Sequence, residues 1–434
     1  MTTLATNRLR FMSMPTQSLT PLRIVIISVA VIVILVFIAA ISGRLSAVSP
    51  LVFTQLTGNT MGTSYSIKYR HSPDTPPSQT IQDEIEQQFI KINQIMSTYD
   101  PESELSRFNH SDLTDWIPVS APLYTVLKAA FEINRQSKGA FDITLGPLVN
   151  LWGFGPEVQP ERIPDQVEIA LVLKRTGHDK LALHETAPTV RKIRTDVYVD
   201  LSGIAKGYAV DQISTTLERH GIEHYMIEIG GEIRARGANA QEIPWQIGID
   251  KPQMYRRSVQ KVLSLNNTAL ATSGNYRNFF KIDHQRYMHV IDPATGWPAK
   301  NNLASVSVLA DTCMLADAWA TALLVLGLEQ GMIMAEQLEL SALFIVNQDG
   351  IFVEHASSHF QPKDTQHITI TFLATFLIMG IAIVAMATGI MMGRRPLAGS
   401  CGGLGRFGLK CDVGCSKPCS TPSDHKPSAD KSEL

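Results

Sequence analysis

Two long uncharged runs frame the hydrophobic pattern of this chain. Ile24 to Gly43 holds 20 residues without a charge, and Ile368 to Gly393 holds 26. Each is long enough to cross a bilayer as a helix. Between them the pattern becomes that of a globular domain. Phe53 to Tyr69 predicts a strand, with a break at Met61-Gly62-Thr63. Ile81, Ile85, Phe89, Ile92 and Met96 recur at helical spacing, behind a cap at Ser78 or Thr80. That helix stops before Tyr99-Asp100-Pro101, since a residue ahead of proline avoids the helical region. Further helices are predicted from Pro122 to Lys138, ended at Gly139, and around Asp165 to Arg175, ended at Gly177. The stretch GAFDITLGPLVNLWGFGP between them has poor periodicity and reads as a structured loop with short helical turns.

From Leu181 the pattern turns to strands: Lys192 to Leu201, His224 to Ile229, Trp245 to Asp250, Val259 to Leu265 and Ala269 to Ser273. Lys281 to His289, Ser305 to Leu309, Ala342 to Val346 and Ile351 to Val353 follow. Two helices interrupt them, about Ala205 to His220 and Met314 to Leu326, the latter closed by Gly327. Short connections between strands predict an α+β fold with mixed or antiparallel sheets, flanked by two transmembrane helices. The expected organisation is an N-terminal segment (1–23), an anchor (24–43), a folded domain (50–356), a polar linker (357–367), a second span (368–393) and a tail (394–434).

Charge orients this plan. Arg8, Arg10 and Arg23 precede the first run, and Arg394, Arg395, Arg406 and Lys410 follow the second. The positive-inside rule puts both termini in the cytoplasm and the folded domain on the far side of the membrane. The first run can also be read as a cleaved signal peptide; no A-x-A site follows it, which favours an uncleaved anchor. A net charge of −2 gives no basic footprint, so no nucleic-acid partner is expected. Cys313 is alone in the central segment, whereas Cys401, Cys411, Cys415 and Cys419 cluster in the tail. Clustered thiols on the reducing side point to metal or redox chemistry rather than to disulfides.

Six stretches concentrate chemistry. In VDLSGIAKGYAVD (199–211) an extended segment ends in Asp200, turns at Ser202-Gly203 and opens a helix carrying Lys206. Helix N-termini favour anions, and Lys206 adds charge; strand–turn–helix units with a glycine are also common structural elements. Met61-Gly62 can lay a flat ring against backbone or be a strand bulge. Tyr99 can stack on a ring or anchor its helix to the core. Asp142 can bind an amide or imide edge or cap a turn. His289 can serve as a proton acceptor or be a satisfied core residue, and Asp292 can cap the turn behind it. Asp317 and Thr321, four apart on a helix, project from one face. They can hold one side of a hard cation that takes its other ligands from phosphates. Alternatively they complement the helix dipole and bond back into the helix. Together these groups suit a dinucleotide with an aromatic ring and a pyrophosphate.

In order, MGTSYSI, MSTYDPESELSRFN, GAFDITLGPLVNLWGFGP, VDLSGIAKGYAVD, EIGGEIRARG, ALATSGNYRNFF, RYMHVIDPATGWP and MLADAWATALLVLG resemble the ApbE family of FAD:protein FMN transferases, over about Thr54 to Val353. The resemblance implies an Mg²⁺-dependent enzyme that cleaves the FAD pyrophosphate. FMN passes through a phosphoester to a threonine or serine of an acceptor protein, and AMP leaves. It implies FAD contacts from Met61, Tyr99, Ala140, Phe141, Asp142, Asp200, Lys206 and Ile291. It implies metal binding by Asp317 and Thr321 with backbone oxygen near Gly203 or Ala205, and activation of the acceptor hydroxyl by His289.

From about Thr371 the chain is similar to the NqrM maturation factor of the Na⁺-translocating NADH:quinone reductase, a single span followed by a cysteine cluster. This implies a tail that helps to supply iron; the four thiolates Cys401, Cys411, Cys415 and Cys419 can bind iron or zinc. The two resemblances point to a bacterial inner-membrane protein whose domain is periplasmic and whose acceptors are subunits of that reductase or a related complex. Two other readings use the same site. One is an Mg²⁺-dependent FAD pyrophosphatase, with water as nucleophile. The other is a flavin-binding carrier without turnover.

Overall fold

The computed structural model of the chain describes residues 52–156, 162–253, 258–275, 279–283, 285–360 and 375–382. The run Ile24 to Gly43, most of Ile368 to Gly393 and the four tail cysteines lie outside the described residues. The chain forms two units, residues 1–364 and 365–434. In the second, residues 375–382 are helical, with Phe376, Leu377, Ile378, Met379 and Ile381 exposed.

The first unit opens with β1 (Val52–Thr60) and β2 (Thr63–His71), then α1 (Ser78–Met96) and α2 (Glu104–His110). Next come β3 (Ile117–Pro118), α3 (Ala121–Gln136), α4 (Gly146–Leu151), α5 (Gln166–Leu173), β4 (Leu181–Leu183) and β5 (Thr189–Lys192). They are followed by α6 (Ala205–Arg219), β6 (His224–Ile229), β7 (Glu232–Arg236), β8 (Trp245–Asp250), β9 (Val259–Leu265), β10 (Thr268–Gly274), β11 (Phe279–Ile282) and β12 (Gln285–Met288). The unit ends with β13 (Leu303–Ala310), α7 (Cys313–Gln337), β14 (Ser341–Gln348) and β15 (Ile351–Ala356).

Eight strands form one sheet in the order β1-β2-β6-β7-β10-β13-β14-β15, and each of its neighbouring pairs is antiparallel. The fold is α+β, as the sequence predicts. Both faces of the sheet are covered, which is why β14 reads as a continuous apolar run. Ala342, Phe344 and Val346 face a core shared with α1, α3, α6 and α7. Leu343 and Ile345 face a second core under the β8–β9 hairpin, with Trp245, Ile247 and Leu263. A third cluster joins Trp152, Ile169, Phe280, Tyr287 and Ile291. Among the described residues α7 is the one helix long and apolar enough to cross a membrane. It packs on α6, β10, β13 and β14 as the core helix of this unit.

Several expected boundaries shift for physical reasons. Phe53 to Tyr69 is a hairpin rather than one broken strand, because Met61 (φ 49) and Gly62 (φ 73) both take the left-handed region. A two-residue loop of that kind matches the twist of its flanking strands. α1 begins at Ser78 behind Pro77, without a side-chain cap. Lys281 to His289 is likewise the hairpin β11–β12, so His289 follows a strand instead of lying inside one. The predicted helix Met314 to Leu326 does break at Gly327 (φ 76), but helical backbone resumes and reaches Gln337. The short helix α2 and the strand β7 carry too little periodicity to be read in advance.

The predicted strand Lys192 to Leu201 also divides. β5 ends at Lys192, and residues 197–201 lie outside any strand. The partner of Val199 is a side chain. Asn109 at the end of α2 donates from Nδ2 to the Val199 carbonyl and accepts from the Val199 N–H at Oδ1, both at 2.8 Å. The buried Lys192 ammonium fastens the same corner by donating to the carbonyls of Asn109 (2.7 Å) and Ser111 (2.8 Å). Buried backbone groups left unpaired cost about 1–3 kcal/mol each. Asn109→Ala should therefore lower stability by about 2–4 kcal/mol, read as a lower urea midpoint at unchanged slope. An unshifted midpoint would show that the side chain is not the partner of Val199.

Candidate active site

A cavity of about 1020 Å³ opens beside the sheet. It receives Met61 from the β1–β2 turn, Tyr99 from the segment after α1, and Ala140, Phe141 and Asp142 from the segment after α3. Asp200, Gly203, Ala205 and Lys206 enter from the strand–turn–helix at the start of α6. His289 and Ile291 enter from beyond β12, and Asp317 and Thr321 from α7. The predicted FAD, metal and catalytic residues of the central segment therefore line the wall of one cavity, although they span positions 61 to 321.

Two helices make the centre of this wall by reaching for each other. Asp211 on α6 accepts from the N–H groups of Cys313 and Met314, at 2.9 Å each, and so caps the start of α7. Asp317 on α7 in turn accepts at Oδ2 from the N–H of Gly207 on α6, at 3.0 Å. Gly207 permits this approach: a Cβ there would lie 2.3 Å from the Cys313 carbonyl oxygen. Asp317 thus looks across to α6 rather than complementing its own helix terminus, which Thr312 caps. Thr321 Oγ1 meets Ser273 Oγ on β10 at 3.0 Å.

Lys206 stands between two carboxylates. Its Nζ is 3.3 Å from Glu232 Oε1 and 3.8 Å from Asp317 Oδ1. Glu232 and Asp317 are each only 3% exposed. Burial pushes both carboxyls up, with Lys206 opposing the rise in each case. Burial would lower the ammonium of Lys206, but Asp317 and Glu232 overcome it and hold the lysine firmly charged. Glu232 was not among the predicted site residues. The available signal was a carboxylate directly after the Gly230-Gly231 turn between two strands; its Oε2 is buried without a partner.

The rim is varied. Tyr99 is 71% exposed, so it does not anchor α1 to the core. Ala140 and Phe141 are buried. Asp142 uses Oδ1 to accept from the Thr144 N–H (2.8 Å) and hydroxyl (2.7 Å), the capping role the sequence left open. Asp200 Oδ1 closes its own turn onto the Ser202 N–H at 2.8 Å. His289 lies edge-on to Phe154, with ring centroids 6.3 Å apart. Asp292 caps its turn through Ala294 and Thr295 and does not line the cavity.

Whether this wall suits a hard cation follows from its donors. Asp317, Thr321 and nearby backbone carbonyls offer oxygen alone, the ligand class of Mg²⁺. Gly203 keeps the backbone beside Thr321 bare: a Cβ there would stand 3.2 Å from Phe141 and 3.5 Å from Thr321 Oγ1. Among the described residues no three His, Cys, Asp or Glu side chains cluster, so a cation here would depend on oxygens of its substrate as well. The residues fit the group.

The ApbE family model matches residues 61–344, the segment that holds every element of this wall. The chain belongs to the ApbE family. A second family model, (Na⁺)-NQR maturation NqrM, matches residues 390–431. Among ApbE relatives, the FAD:protein FMN transferase of Vibrio cholerae is 46% identical over 72% of this chain and 93% of its own length. The Escherichia coli K12 enzyme of the same name is 39% identical over 71% and 88%. The solved Vibrio cholerae flavin transferase ApbE aligns at TM-score 0.67 and 45% identity, over 72% of this chain and 99% of its own. The apo Pseudomonas stutzeri flavinyl transferase ApbE aligns at 0.67 and 34%, over 72% and 97%.

In this ApbE domain the α6–α7 approach should tolerate no side chain at Gly207. Gly207→Ala forces Cβ against backbone and should destabilise by about 1–3 kcal/mol, measured by calorimetry. Wild-type stability in the variant would mean that the two helices are not held at this distance.

Proposed function

We propose that the domain is an Mg²⁺-dependent transferase that moves FMN from FAD to a threonine or serine hydroxyl of an acceptor protein. The chain is an ApbE-family enzyme, and relatives that it matches over most of their length are FAD:protein FMN transferases. The observation that carries the finer reading is the meeting of Lys206, Asp317 and Thr321 with the turn 200–205 in a cavity of dinucleotide scale.

Under this reading the flavin lies between Tyr99 and the Ala140-Phe141-Asp142 segment. Asp200 and Lys206 hold the ribityl and phosphate portion, with Met61 and Ile291 closing the apolar sides. Asp317 and Thr321, with backbone oxygen at Gly203 or Ala205, would hold Mg²⁺, which supplies charge to the phosphoryl oxygens. His289 takes the proton of the acceptor hydroxyl, since an alcohol is a weak nucleophile until a base removes it. The oxygen bonds to the flavin-side phosphorus, the bond from that phosphorus to the bridging oxygen breaks, and AMP leaves with that oxygen.

Incubation with FAD, Mg²⁺ and a threonine-bearing acceptor domain tests this. The acceptor should gain the mass of FMN, and His289→Ala should abolish the gain while FAD still binds. Free FMN and AMP beside an unlabelled acceptor would establish a pyrophosphatase instead, and intact bound FAD a carrier.

For the rest of the chain we propose an inner-membrane arrangement: two spans, a periplasmic domain and a cytoplasmic tail that helps to deliver iron. It rests on the two uncharged runs with their flanking arginines and on the NqrM match. Acceptors would then be subunits of the Na⁺-translocating NADH:quinone reductase or a related complex. In cells, an impermeant maleimide should reach the tail thiols only after permeabilisation of the inner membrane. Iron content should fall when Cys411, Cys415 and Cys419 are changed to Ser. Labelling of the tail in spheroplasts with an intact inner membrane, or equal iron in both forms, would refute the respective half.

A further inference from the structure

Lys206 poses a difficulty for the cation reading. An ammonium that can reach Asp317 competes with a divalent cation for the same carboxylate. In this structure the lysine does not sit at hydrogen-bond distance from Asp317: Nζ is 3.8 Å from Asp317 Oδ1 but 3.3 Å from Glu232 Oε1. Asp317 Oδ2 is already committed to the Gly207 N–H, so Oδ1 is the oxygen that remains to be offered. Glu232 is fixed where it can draw the lysine away. It begins β7, paired with Ile229 across the β6–β7 turn, and its side chain is almost wholly buried. The second oxygen, Oε2, has no partner. A buried carboxylate oxygen in that condition is costly.

We infer that Glu232 is a positioning residue: it holds the Lys206 ammonium off Asp317, leaving that carboxylate open to a divalent cation while keeping the lysine's charge in the cavity for phosphate. The inference rests on the cation reading of the site and adds to it a residue that touches neither substrate nor metal. Lys206 has a long flexible stem on the first turn of α6, so its resting place is set by its partners. With Glu232 absent, Asp317 is, among the described residues, the other carboxylate already within 4 Å of the ammonium, and the lysine settles there.

Calorimetric titration of Mg²⁺ into the full-length protein tests this, with ADP present to bring pyrophosphate oxygens but no flavin. Glu232→Met should weaken Mg²⁺ binding about tenfold, because Lys206 then occupies Asp317. Glu232→Gln, which retains an acceptor oxygen, should fall between. In a Lys206→Met background the Glu232→Met change should have no effect on Mg²⁺ affinity. An equal loss in both backgrounds would make Glu232 act on the cation directly and overturn the positioning role. A lowered melting temperature with wild-type Mg²⁺ affinity would reduce Glu232 to a structural residue. Glu232→Met alone takes one partner from the Lys206 ammonium and lowers stability, whereas the double variant removes both members of the pair, so Mg²⁺ affinity is compared only between variants that a melting curve shows to be folded. Wild-type protein that binds no Mg²⁺ overturns this inference together with the cation reading, whereas normal wild-type binding with an unaltered variant overturns this inference alone.

Discussion

The site depends on the reciprocal grip between α6 and α7. Each helix carries an aspartate that accepts backbone N–H groups of the other: Asp211 from Cys313 and Met314, Asp317 from Gly207. Carboxylates aimed at N–H groups of a helix's first turn are favoured by both hydrogen bonding and the helix dipole. Here the two contacts run in opposite senses, so neither helix can slide or rotate without breaking one. The missing side chain at Gly207 sets the distance. Lys206 precedes that glycine and Ala205 stands next to it, which is why the charge-bearing turn lies directly against Asp317 and Thr321. A similar economy holds one step upstream. Asn109 supplies the strand partner that Val199 lacks, and Asp200, the next residue, is delivered to the cavity rim.

Much of this was legible in the sequence because it rests on short-range rules. Helical spacing located α1 and α3, and turn residues located the ends of most strands. A strand, a Ser-Gly turn and a lysine-bearing helix start singled out the stretch 199–211, and its turn lines the cavity. The i,i+4 spacing of Asp317 and Thr321 placed both on one helix face, and the cavity lies on that face. Motif order then identified the family, which no single motif could do. The family models that match residues 61–344 and 390–431 correspond to the two resemblances.

What stayed hidden depends on contacts between residues far apart in the chain. Nothing local says that Asn109 replaces a β-strand 90 residues away, so residues 192–201 looked like one strand. Met61 is a poor predictor of left-handed backbone, so a two-residue hairpin loop looked like a bulge. Glu232 is the most instructive case. At the head of a strand, a lone glutamate reads as a solvated edge residue. Its burial, and its nearness to a lysine 26 positions earlier in the chain, exist only once β6 and β7 have folded back beside α6.

The charge pattern of the wall also has an energetic consequence for ligand binding. Removing two carboxyls and an ammonium from water is expensive, and their mutual attraction offsets that cost only when the remaining hydrogen-bonding positions are filled. In the structure they are not: Glu232 Oε2 has no partner, and Lys206 is beyond hydrogen-bond distance of Asp317. The folded domain therefore holds these charges in fixed positions that folding has already set. A site of this kind stores part of the free energy that a complementary ligand can release. Under the proposed function, phosphate oxygens would meet the lysine, a hard cation would meet Asp317, and the desolvation cost has already been met by folding. That is the condition under which fixed charges act most strongly on a developing phosphoryl charge, since nothing needs to reorganise when it appears. The arrangement is accordingly a poor one for stability and a good one for transferring a charged group.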